Sequence, residues 1–451
     1  MATDPPRRRR GAALLAVLVV GLATTCSRGE PEPEANRPTI VLITIDTLRA
    51  DHLGCYGYGR ETSPSIDAFA DEAIVFERAY APMATTLPSH LSLLTSLSPM
   101  QHGVLGNFHQ LGEAFTASAQ IRTAAQMLSE HGYETAAFVS AEPLKTHSGL
   151  SVGFDEYDQP FRGERLAAVT TSAATRWLSQ RGGRPLFLWV HYFDPHLPYD
   201  PPAPFDEMFT PDKALREFLD GQRETNLSPR VQWKNSDYDG EIRYVDEHVG
   251  RLLGALRAAG LYDEAAIVLT GDHGEGLGQH GMTGHGRTWN EQLHVPLILK
   301  LPESAEQQAH RRDVLAALVD VLPTLANALD LPFTAEEREQ FAGVDLMRNN
   351  ARQAVFAQSV ASGVVAGTYC LIGNEWKYVF RDRGGDELYD LVNDPGETRN
   401  VLEQRPVVAT KMKSLLLEQI RHDEETRRAA ETLGPLSDQV IEALEELGYA
   451  R

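Results

Sequence analysis

Hydrophobic and polar residues along most of the chain follow two alternating patterns. Five short apolar runs are typical of strands buried on both faces, namely 39–45, 135–139, 186–191, 265–270 and 295–299. Four longer segments carry apolar residues at helical spacing and are predicted as helices: 120–130, 166–180, 238–259 and 314–329. This alternation predicts an α/β fold with a large, mostly parallel or mixed sheet sandwiched by helices.

The last hundred or so residues depart from this pattern. Two short strand candidates, 367–373 and 376–380, precede a charged helix predicted over about 406–430. We therefore expect a large main domain over 38–350 and a small C-terminal α+β subdomain over 351–451.

The N-terminus is predicted to be a targeting segment. Arginines fill positions 7–10, and an uncharged apolar run over 11–22 follows. The run is shorter than the roughly 20 residues that cross a bilayer, but it suits the core of a signal peptide. It ends in Leu22-Ala23-Thr24-Thr25-Cys26, which resembles a bacterial lipoprotein cleavage box.

This segment predicts where the protein resides. We expect a signal peptide over 1–25, a lipidated Cys26 and a Pro/Glu-rich tether over 26–37. The alternative is an ordinary cleaved signal with an unmodified Cys26. Either way the protein is expected to be exported, as a periplasmic or outer-membrane lipoprotein of a bacterium in the first case. Its only membrane attachment would be the lipid anchor.

Composition and charge narrow the function classes. Apolar residues make up 42% and charged residues 23% of the chain, which is globular usage and argues against long disorder. The net charge is −21, and the first 25 residues carry +3, which leaves −24 for the rest. Nucleic-acid binding is not expected, because phosphate contacts need clustered Lys and Arg. A small anionic substrate stays compatible if metal ions supply local positive charge.

Three predicted strands end in residues that can bind a metal ion. Asp46 follows the first strand, and Asp272 and His273 follow the run that ends near residue 270. Asp194 and His196 follow the run over 186–191. A lone Asp after a strand is usually a helix cap. Because ligands in such folds bind at the carboxyl ends of the strands, three ends of this kind together predict a metal cluster.

A threonine at a predicted helix start is the candidate nucleophile. Thr86 stands just before Leu87-Pro88, a pattern that alone predicts only a helix cap. A helix N-terminus also favours a tetrahedral anion through its free N–H groups and its dipole. A hydroxyl beside a metal ion can lose its proton and become a nucleophile.

Several segments that occur in order along the chain resemble the sulfatase family within the alkaline phosphatase superfamily. They are 46–54, 86–90, 101–104, 194–196, 241–246, 271–275 and 388–397. The resemblance spans roughly residues 38 to 402. It implies an α/β ester hydrolase that depends on a metal ion.

The chain departs from the family at the residue that sulfatases oxidise to formylglycine. Sulfatases carry Cys or Ser at the first position of a C/S-x-P-x-R signature, whereas Thr86 holds it here and His90 replaces the Arg. Formylglycine is an aldehyde, and Thr could give only a ketone, so no formylglycine is expected. Family members with Thr at this position resemble phosphodiesterases and phosphotransferases that use the Thr alkoxide directly. Thr86 and His90 are therefore candidate catalytic residues.

The metal ligands shift in the same direction. Sulfatases bind one calcium through an Asp-Asp pair and an Asp-Asn pair, whereas the matching pairs here are Asp46-Thr47 and Asp272-His273. Because imidazole suits zinc or manganese better than calcium, we expect one of these two metals. Asp46, Asp272 and His273 would bind the ion, with Thr86 as the activated fourth ligand.

A second metal ion is an open alternative. It would use Asp194, His196 and His285, the last of which stands where sulfatases place a substrate-binding Lys. His280 is a rival for this role. Two ions would stabilise the attacking and leaving oxygens of a phosphoryl transfer. In a site with one ion, His196 and His285 would instead hydrogen-bond the substrate or its leaving group.

The leading hypothesis is an exported, metal-dependent hydrolase of sulfate or phosphate esters that cleaves phosphomonoesters or phosphodiesters through Thr86. Its partner would be an anionic ester, on a sulfated or phosphorylated glycan, a lipid or a small molecule. One alternative is a transferase that passes a phospho-headgroup from lipid to glycan. The other is a non-catalytic binding protein on a sulfatase scaffold, against which the retained metal ligands argue.

Overall fold

The computed structural model describes residues 1–2, 37–107, 120–222, 228–303, 310–348, 352–360 and 367–428. Nearly all of the predicted signal peptide and of the tether, including Cys26, lies outside these ranges, so those expectations stay predictions. Within the described ranges, we find no helix that combines the length and the apolarity required to cross a bilayer.

Eight strands form the main sheet. In chain order the strands of the described chain are β1 (Thr39–Ile45), β2 (Ile74–Tyr80), β3 (Glu134–Phe138), β4 (Glu156–Asp158), β5 (Leu186–Tyr192), β6 (Ala265–Gly271), β7 (Gly276–Leu277), β8 (Thr283–Gly284), β9 (His294–Lys300), β10 (Arg311–Ala317), β11 (Val355–Val360), β12 (Gly367–Ile372), β13 (Trp376–Arg381) and β14 (Glu387–Asp390). The main sheet has the order β10-β2-β9-β6-β1-β5-β3-β4. Among the eight described strands of the main sheet, only β9 runs antiparallel to its neighbours. This confirms the predicted mixed sheet.

Helices cover both faces of this sheet. In chain order the α-helices of the described chain are α1 (Pro64–Ala70), α2 (Thr86–Thr95), α3 (Pro99–His102), α4 (Ala124–Glu130), α5 (Ala167–Leu178), α6 (Lys213–Gly221), α7 (Pro229–Ala258), α8 (Asn290–Leu293), α9 (Val321–Ala328), α10 (Ala335–Glu339) and α11 (Pro406–Glu425). Apolar residues of α2, α4 and α9 share one core with Ile40 and Leu42 of β1. Those of α1, α5 and α7 share the other core with Val41 and Ile43. Because both faces are covered, β1 is apolar at nearly every position.

The C-terminal part forms a small antiparallel sheet in the order β11-β12-β13-β14. One face, with Leu371 and Tyr378, packs against α11. The other face contributes Cys370, Ile372 and Val379 to the core of the main sheet. The predicted pair of strands is present, and β11 and β14 extend it to four.

The predicted helix over 314–329 is wrong in its first half. Residues Arg311–Ala317 form β10, which pairs in parallel with β2, and α9 begins only at Val321. A short apolar run satisfies the strand and the helix period equally, and here the pairing with β2 decides. The long helix α7 begins at Pro229, nine residues before the predicted start at 238, with proline in its first turn.

Candidate metal centre and active site

The carboxyl ends of two neighbouring strands, β1 and β6, bring the first set of predicted ligands together. In the register of the main sheet, Ile45 of β1 lies opposite Tyr192 of β5 and Gly271 of β6. Asp46 follows β1 directly, and Asp272 follows β6 directly. The two carboxylates therefore share one edge of the sheet, as the sequence predicts for an α/β fold.

One buried group of side chains is suited to a cation. Asp46, Asp272 and His273 offer ligand atoms within 4.8 Å of one another, and each is at most 1% exposed. His273 Nε2 lies 3.7 Å from Asp46 Oδ1 and 3.5 Å from Asp272 Oδ2. Neither oxygen has a hydrogen-bond partner among the described residues. Buried carboxylate oxygens without partners are costly unless a cation or a proton compensates them.

Hydrogen bonds orient the lone pairs of this group inward. His273 Nδ1 lies 2.9 Å from the carbonyl oxygen of Gly274, so we assign the ring proton to Nδ1 and a lone pair to Nε2. Asp272 Oδ1 accepts hydrogen bonds from the backbone N–H groups of Thr47 and His273, at 3.1 and 2.7 Å. Those bonds leave Asp272 Oδ2 free to face the lone pair of His273 Nε2.

Burial shifts the protonation of all three side chains. It raises the pKa of Asp46 well above its ordinary value, and the charge of Asp272 adds to that shift. It also raises the pKa of Asp272. Burial lowers the pKa of His273 well below its ordinary value, and His285 adds to that effect. Since a metal ion needs charged carboxylates and a neutral imidazole, a bound divalent cation would reverse the carboxyl shifts.

Thr86 places its hydroxyl next to this group. It is the first residue of α2 and is 2% exposed, and its Oγ1 lies 3.5 Å from His273 Nε2. One turn along α2, the Ser89 hydroxyl donates to the carbonyl oxygen of Asp272 at 2.6 Å. This bond joins the start of α2 to the loop after β6, so the structure brings Thr86 to the three predicted ligands.

His90 orients the backbone of Thr86. Its Nδ1 lies 2.8 Å from the Thr86 carbonyl oxygen, and its Nε2 lies 3.0 Å from Thr44 Oγ1. Thr44 Oγ1 accepts a hydrogen bond from Trp189 Nε1 at 3.0 Å, so we assign the Thr44 proton to His90 Nε2 and the ring proton to Nδ1. Burial lowers the pKa of His90 to about 4, so the ring is neutral near pH 7.

A second group of potential ligands fits a cation less well. His90, His191 and Asp272 also offer ligand atoms within 4.8 Å of one another. Both ring nitrogens of His90 are already hydrogen-bonded to Thr86 and Thr44. The group around His273 is therefore the better candidate metal centre.

A family model described as Sulfatase matches residues 38–331. The chain belongs to the sulfatase family. It is 27% identical over 367 residues to iduronate 2-sulfatase of Homo sapiens, and the match covers 66% of this chain and 66% of that protein. The family recognition made from the sequence is thus confirmed.

Solved structures show the same fold. The putative sulfatase yidJ from Bacteroides fragilis matches with a TM-score of 0.75 at 20% identity, covering 89% of this chain and 99% of that one. Phosphonate monoester hydrolase of Agrobacterium radiobacter matches with a TM-score of 0.71 at 21% identity, covering 86% and 96%. The sulfatase-family chain is an ester hydrolase with a large mixed α/β sheet and a small antiparallel sheet.

Two further histidines of this sulfatase-family chain meet beside His273. His196 Nε2 and His285 Nε2 lie 3.2 Å apart, and the rings of His273 and His285 have centroids 4.4 Å apart. The Nδ1 atoms of His196 and His285 lie 2.6 and 3.0 Å from the carbonyl oxygens of Leu197 and Ala84. Both Nε2 lone pairs therefore converge, and burial lowers the pKa of His196 to about 4. The repulsion between the two lone pairs would be relieved if a bound ligand donated a hydrogen bond to both nitrogens, or if a second metal ion bound between them.

Asp194 and His280 make other contacts in the described part of the chain. Asp194 Oδ2 accepts from the backbone N–H of Ala167 at 2.9 Å, at the start of α5, and burial raises its pKa to about 6. His280 Nδ1 lies 3.0 Å from Glu291 Oε1, and its ring stacks on Trp289. The set of ligands for a second ion is thus assembled only in part, and the role of Asp194 in it stays a prediction.

Sequence reasoning did not single out His191 or Thr44 as site residues of this sulfatase-family chain. His191 Nε2 lies 3.8 Å from Asp46 Oδ2, and Thr44 lies opposite His191 in the register of β1 and β5. Each is a polar residue inside a strand that is mostly apolar and buried along its whole length. That exception was the signal, because a polar group buried in a strand needs a partner.

Proposed function

We propose that this chain is an exported, metal-dependent hydrolase of sulfate or phosphate esters that cleaves phosphoesters through Thr86. The observation that carries the proposal is the position of the Thr86 hydroxyl. It is buried at the start of α2, 3.5 Å from the His273 nitrogen that faces Asp46 and Asp272. A hydroxyl among metal-ligand atoms is suited to lose its proton and act as a nucleophile.

The proposed metal ligands are Asp46, Asp272 and His273, with Thr86 as the fourth. Two carboxylates, an imidazole and a hydroxyl favour zinc or manganese over calcium, which prefers a larger set of oxygen ligands. When bound, the ion supplies positive charge that lowers the pKa of the hydroxyl and offsets the charge of the ester.

The reaction follows from the position of residue 86. Thr86 Oγ1 loses its proton to solvent and forms a bond to phosphorus while the bond from phosphorus to the leaving-group oxygen breaks. The leaving group takes a proton from solvent. A water oxygen then forms a bond to phosphorus while the bond from phosphorus to Thr86 Oγ1 breaks, so the phosphate product leaves and Thr86 regains its hydroxyl proton. His90 holds the Thr86 carbonyl at 2.8 Å throughout, and the N-terminal end of α2 favours the phosphoryl oxygens. The Nε2 atoms of His196 and His285 can accept a hydrogen bond from the substrate or from the attacking water.

The identity of residue 86 supports phosphoester rather than sulfate-ester chemistry. Formylglycine forms from a side-chain carbon that bears two hydrogens, and the Thr86 carbon bears a methyl group instead. A direct attack by the Thr oxygen needs no such modification.

The substrate class and location extend the proposal. By their names, one relative acts on a sulfated sugar and one structural neighbour on a phosphonate monoester. We assign this chain an anionic ester on a sulfated or phosphorylated glycan, a lipid or a small molecule. Export through a signal peptide over 1–25 and a lipid anchor at Cys26 are supported by the basic and apolar N-terminal sequence.

A substrate comparison tests the proposal. The purified chain, supplied with zinc, manganese or calcium, is assayed on a phosphate monoester, a phosphodiester and a sulfate ester of one aryl alcohol. We expect Thr86→Val, which keeps the shape and removes the hydroxyl, to lower kcat on the phosphoester at least ~1000-fold. Thr86→Ser, which keeps a hydroxyl, should retain part of the activity. Sulfate-ester hydrolysis that survives Thr86→Val would show that water, not Thr86, is the nucleophile.

A further inference from the structure

His285 lies in a loop whose two ends meet. The loop runs over 281–288 between His280 and Trp289, whose rings stack with centroids 3.8 Å apart and planes 5° apart. From this base the loop carries His285 to the candidate active site, where the ring lies against Ala84 and His196. Within the loop, β8 pairs with β7 directly before His285, so the position of His285 depends on that pairing and on what holds the base of the loop.

Glu397, in the C-terminal segment, touches both ends of that loop. Its Oε2 accepts a hydrogen bond from the backbone N–H of Asn290 at 2.8 Å, at the first residue of α8. Its carbonyl oxygen lies 3.4 Å from His280 Nε2. Glu397 has a φ of 52°, which is the left-handed region that costs a side-chain-bearing residue free energy. One residue in an unfavourable conformation thus presents both acceptors.

A buried ion pair fixes the Glu397 side chain. Its Oε1 lies 2.6 Å from Lys377 Nζ on β13, and both side chains are fully buried. A buried pair gains little net stability, because desolvation offsets the attraction, but it sets a geometry. Tyr389 of β14 supports the same loop, since its ring packs edge-on against Trp289 with centroids 5.7 Å apart.

We propose that Glu397, fixed by Lys377, is a positioning residue that holds the loop over 281–288 so that His285 reaches the active site. We call Lys377 and Glu397 the C-terminal clamp. The role of His285 in activity rests on the proposed function. The claim that Glu397 and Lys377 hold the loop in place does not depend on it. The clamp explains what the small antiparallel sheet does for the site: it supplies the lysine that fixes the glutamate.

Two double variants separate the lost acceptor from the lost charge. Lys377→Met with Glu397→Leu replaces the ion pair by apolar side chains of similar volume, a change that proteins often tolerate. It also leaves the Asn290 N–H without its acceptor. Lys377→Met with Glu397→Gln removes the same charges but keeps an amide oxygen for that N–H. The comparison isolates the hydrogen bond.

A single variant removes the donor instead. Asn290→Pro deletes the N–H that Glu397 accepts, and proline suits the first position of a helix. Trp289 before it already has the extended conformation that a following proline requires, with φ −72° and ψ 152°. Lys413→Met is the control, because it breaks an ion pair with Asp386 in the same part of the molecule, at 3.3 Å, without touching the loop.

Hydrogen–deuterium exchange of residues 281–289, measured on the full chain without substrate, is the readout. We expect exchange to accelerate roughly tenfold or more in the Leu double variant and in Asn290→Pro, because a buried charge-assisted hydrogen bond is lost. The Gln double variant and Lys413→Met should stay within about threefold of the native chain. With a phosphoester as substrate, kcat should fall about tenfold in the Leu double variant and in Asn290→Pro, with metal affinity unchanged.

Unchanged exchange in the Leu double variant would overturn the proposal. Equal acceleration in the Gln and Leu double variants would also overturn it, because the charge rather than the acceptor would then hold the loop. The exchange result decides this without any turnover. A chain that hydrolyses none of the esters would therefore refute the proposed function and leave the clamp to be judged on the loop alone.

Discussion

Burial shifts the pKa values of the residues around the candidate metal centre so that their uncharged forms are favoured. It raises the pKa of Asp46 and Asp272 and lowers the pKa of His273. The same holds for carboxyl groups farther out, such as Glu241 and Glu275. In the metal-free chain these groups make the free energy of unfolding depend on pH, with opposite signs for acids and bases.

We expect the metal-free chain to lose stability as pH rises from about 6.5 to about 8.5. Burial raises the pKa of Glu241 from 4.5 to about 8 and that of Glu275 to about 7. A carboxyl with a raised folded pKa stabilises the fold at low pH, and this contribution is lost as pH rises through the folded pKa. Buried histidines such as His196, whose pKa is about 4, do not oppose the trend above the unfolded pKa of about 6.5.

Denaturant unfolding in the presence of a chelator measures this dependence. The loss across the window should be about 1–2 kcal/mol for Glu241 alone. In Glu241→Gln, which keeps the shape but cannot ionise, the slope should be correspondingly smaller. A stability that is flat or rises over this range in the native chain would contradict the assignment.

The identity of most candidate ligands could be predicted from sequence, and the exceptions have physical reasons. Asp46 and Asp272 follow buried strands directly, so the fold class alone brings them together. His191 and Thr44 lie inside strands, and their contacts depend on the register between β1 and β5. Asp194 follows a strand as well, but its carboxylate accepts a hydrogen bond from the backbone N–H of Ala167 at the start of α5, a contact between distant segments that the sequence pattern does not report.

At the scale of elements, one chain of hydrogen bonds joins β5, β1 and α2. Trp189 donates to Thr44, Thr44 donates to His90, and His90 donates to the carbonyl oxygen of Thr86. The donors and acceptors are all buried. Since each hydrogen bond sets the direction of the next, Thr44 governs the orientation of the start of α2.

We expect Thr44→Val to lower kcat about tenfold and to reduce stability by about 2 kcal/mol, because it leaves a buried donor and a buried acceptor unpaired. Thr44→Ser should restore most of both. Thr135→Val, which removes a hydroxyl that donates to Gly153 at 2.8 Å on β3, is the matched control and should affect stability alone. Steady-state kinetics with native kcat in Thr44→Val would refute the role of this chain of bonds.

Elements could be predicted where burial leaves an unambiguous pattern. The strands β1, β5 and β6 are buried along their whole length and show continuous apolar runs. The helix predicted over 314–329 includes the second half of β10, because the apolar run continues through Leu318 and Val319 and only Asp320 interrupts it before α9. The very short β4, with three residues, is defined only by its pairing with β3, which sequence periodicity does not report.

At the scale of the whole molecule, the small sheet and the main sheet share one hydrophobic core. Cys370, Ile372 and Val379 of the small sheet belong to the same cluster as Ile40 and Leu42 of β1. The sequence indicated a change of architecture near residue 350, and the structure confirms the small antiparallel sheet. The domain boundary itself stays a prediction.

Metal binding should stabilise the whole chain. At a free metal concentration of about 100 times Kd, we expect the free energy of unfolding to rise by about 3 kcal/mol. The gain should shrink as pH falls, since protons compete for Asp46 and Asp272, whose pKa values burial raises. Asp272→Asn should abolish the gain, whereas Asp313→Asn, which alters an exposed carboxylate on β10, should keep it. Equal gains in the two variants, by thermal or denaturant unfolding, would place the metal elsewhere.

The most direct test of the account is the chemical state of residue 86 during turnover. The metal-loaded chain is mixed with an excess of aryl phosphoester and quenched in acid, and the peptide that contains residue 86 is analysed by mass spectrometry. We expect phosphothreonine at position 86, formed within the first turnover and absent from Thr86→Val. Two results together would contradict a threonine nucleophile: Thr86 stays unmodified during turnover of the native chain, and the Thr86→Val variant still turns over the substrate.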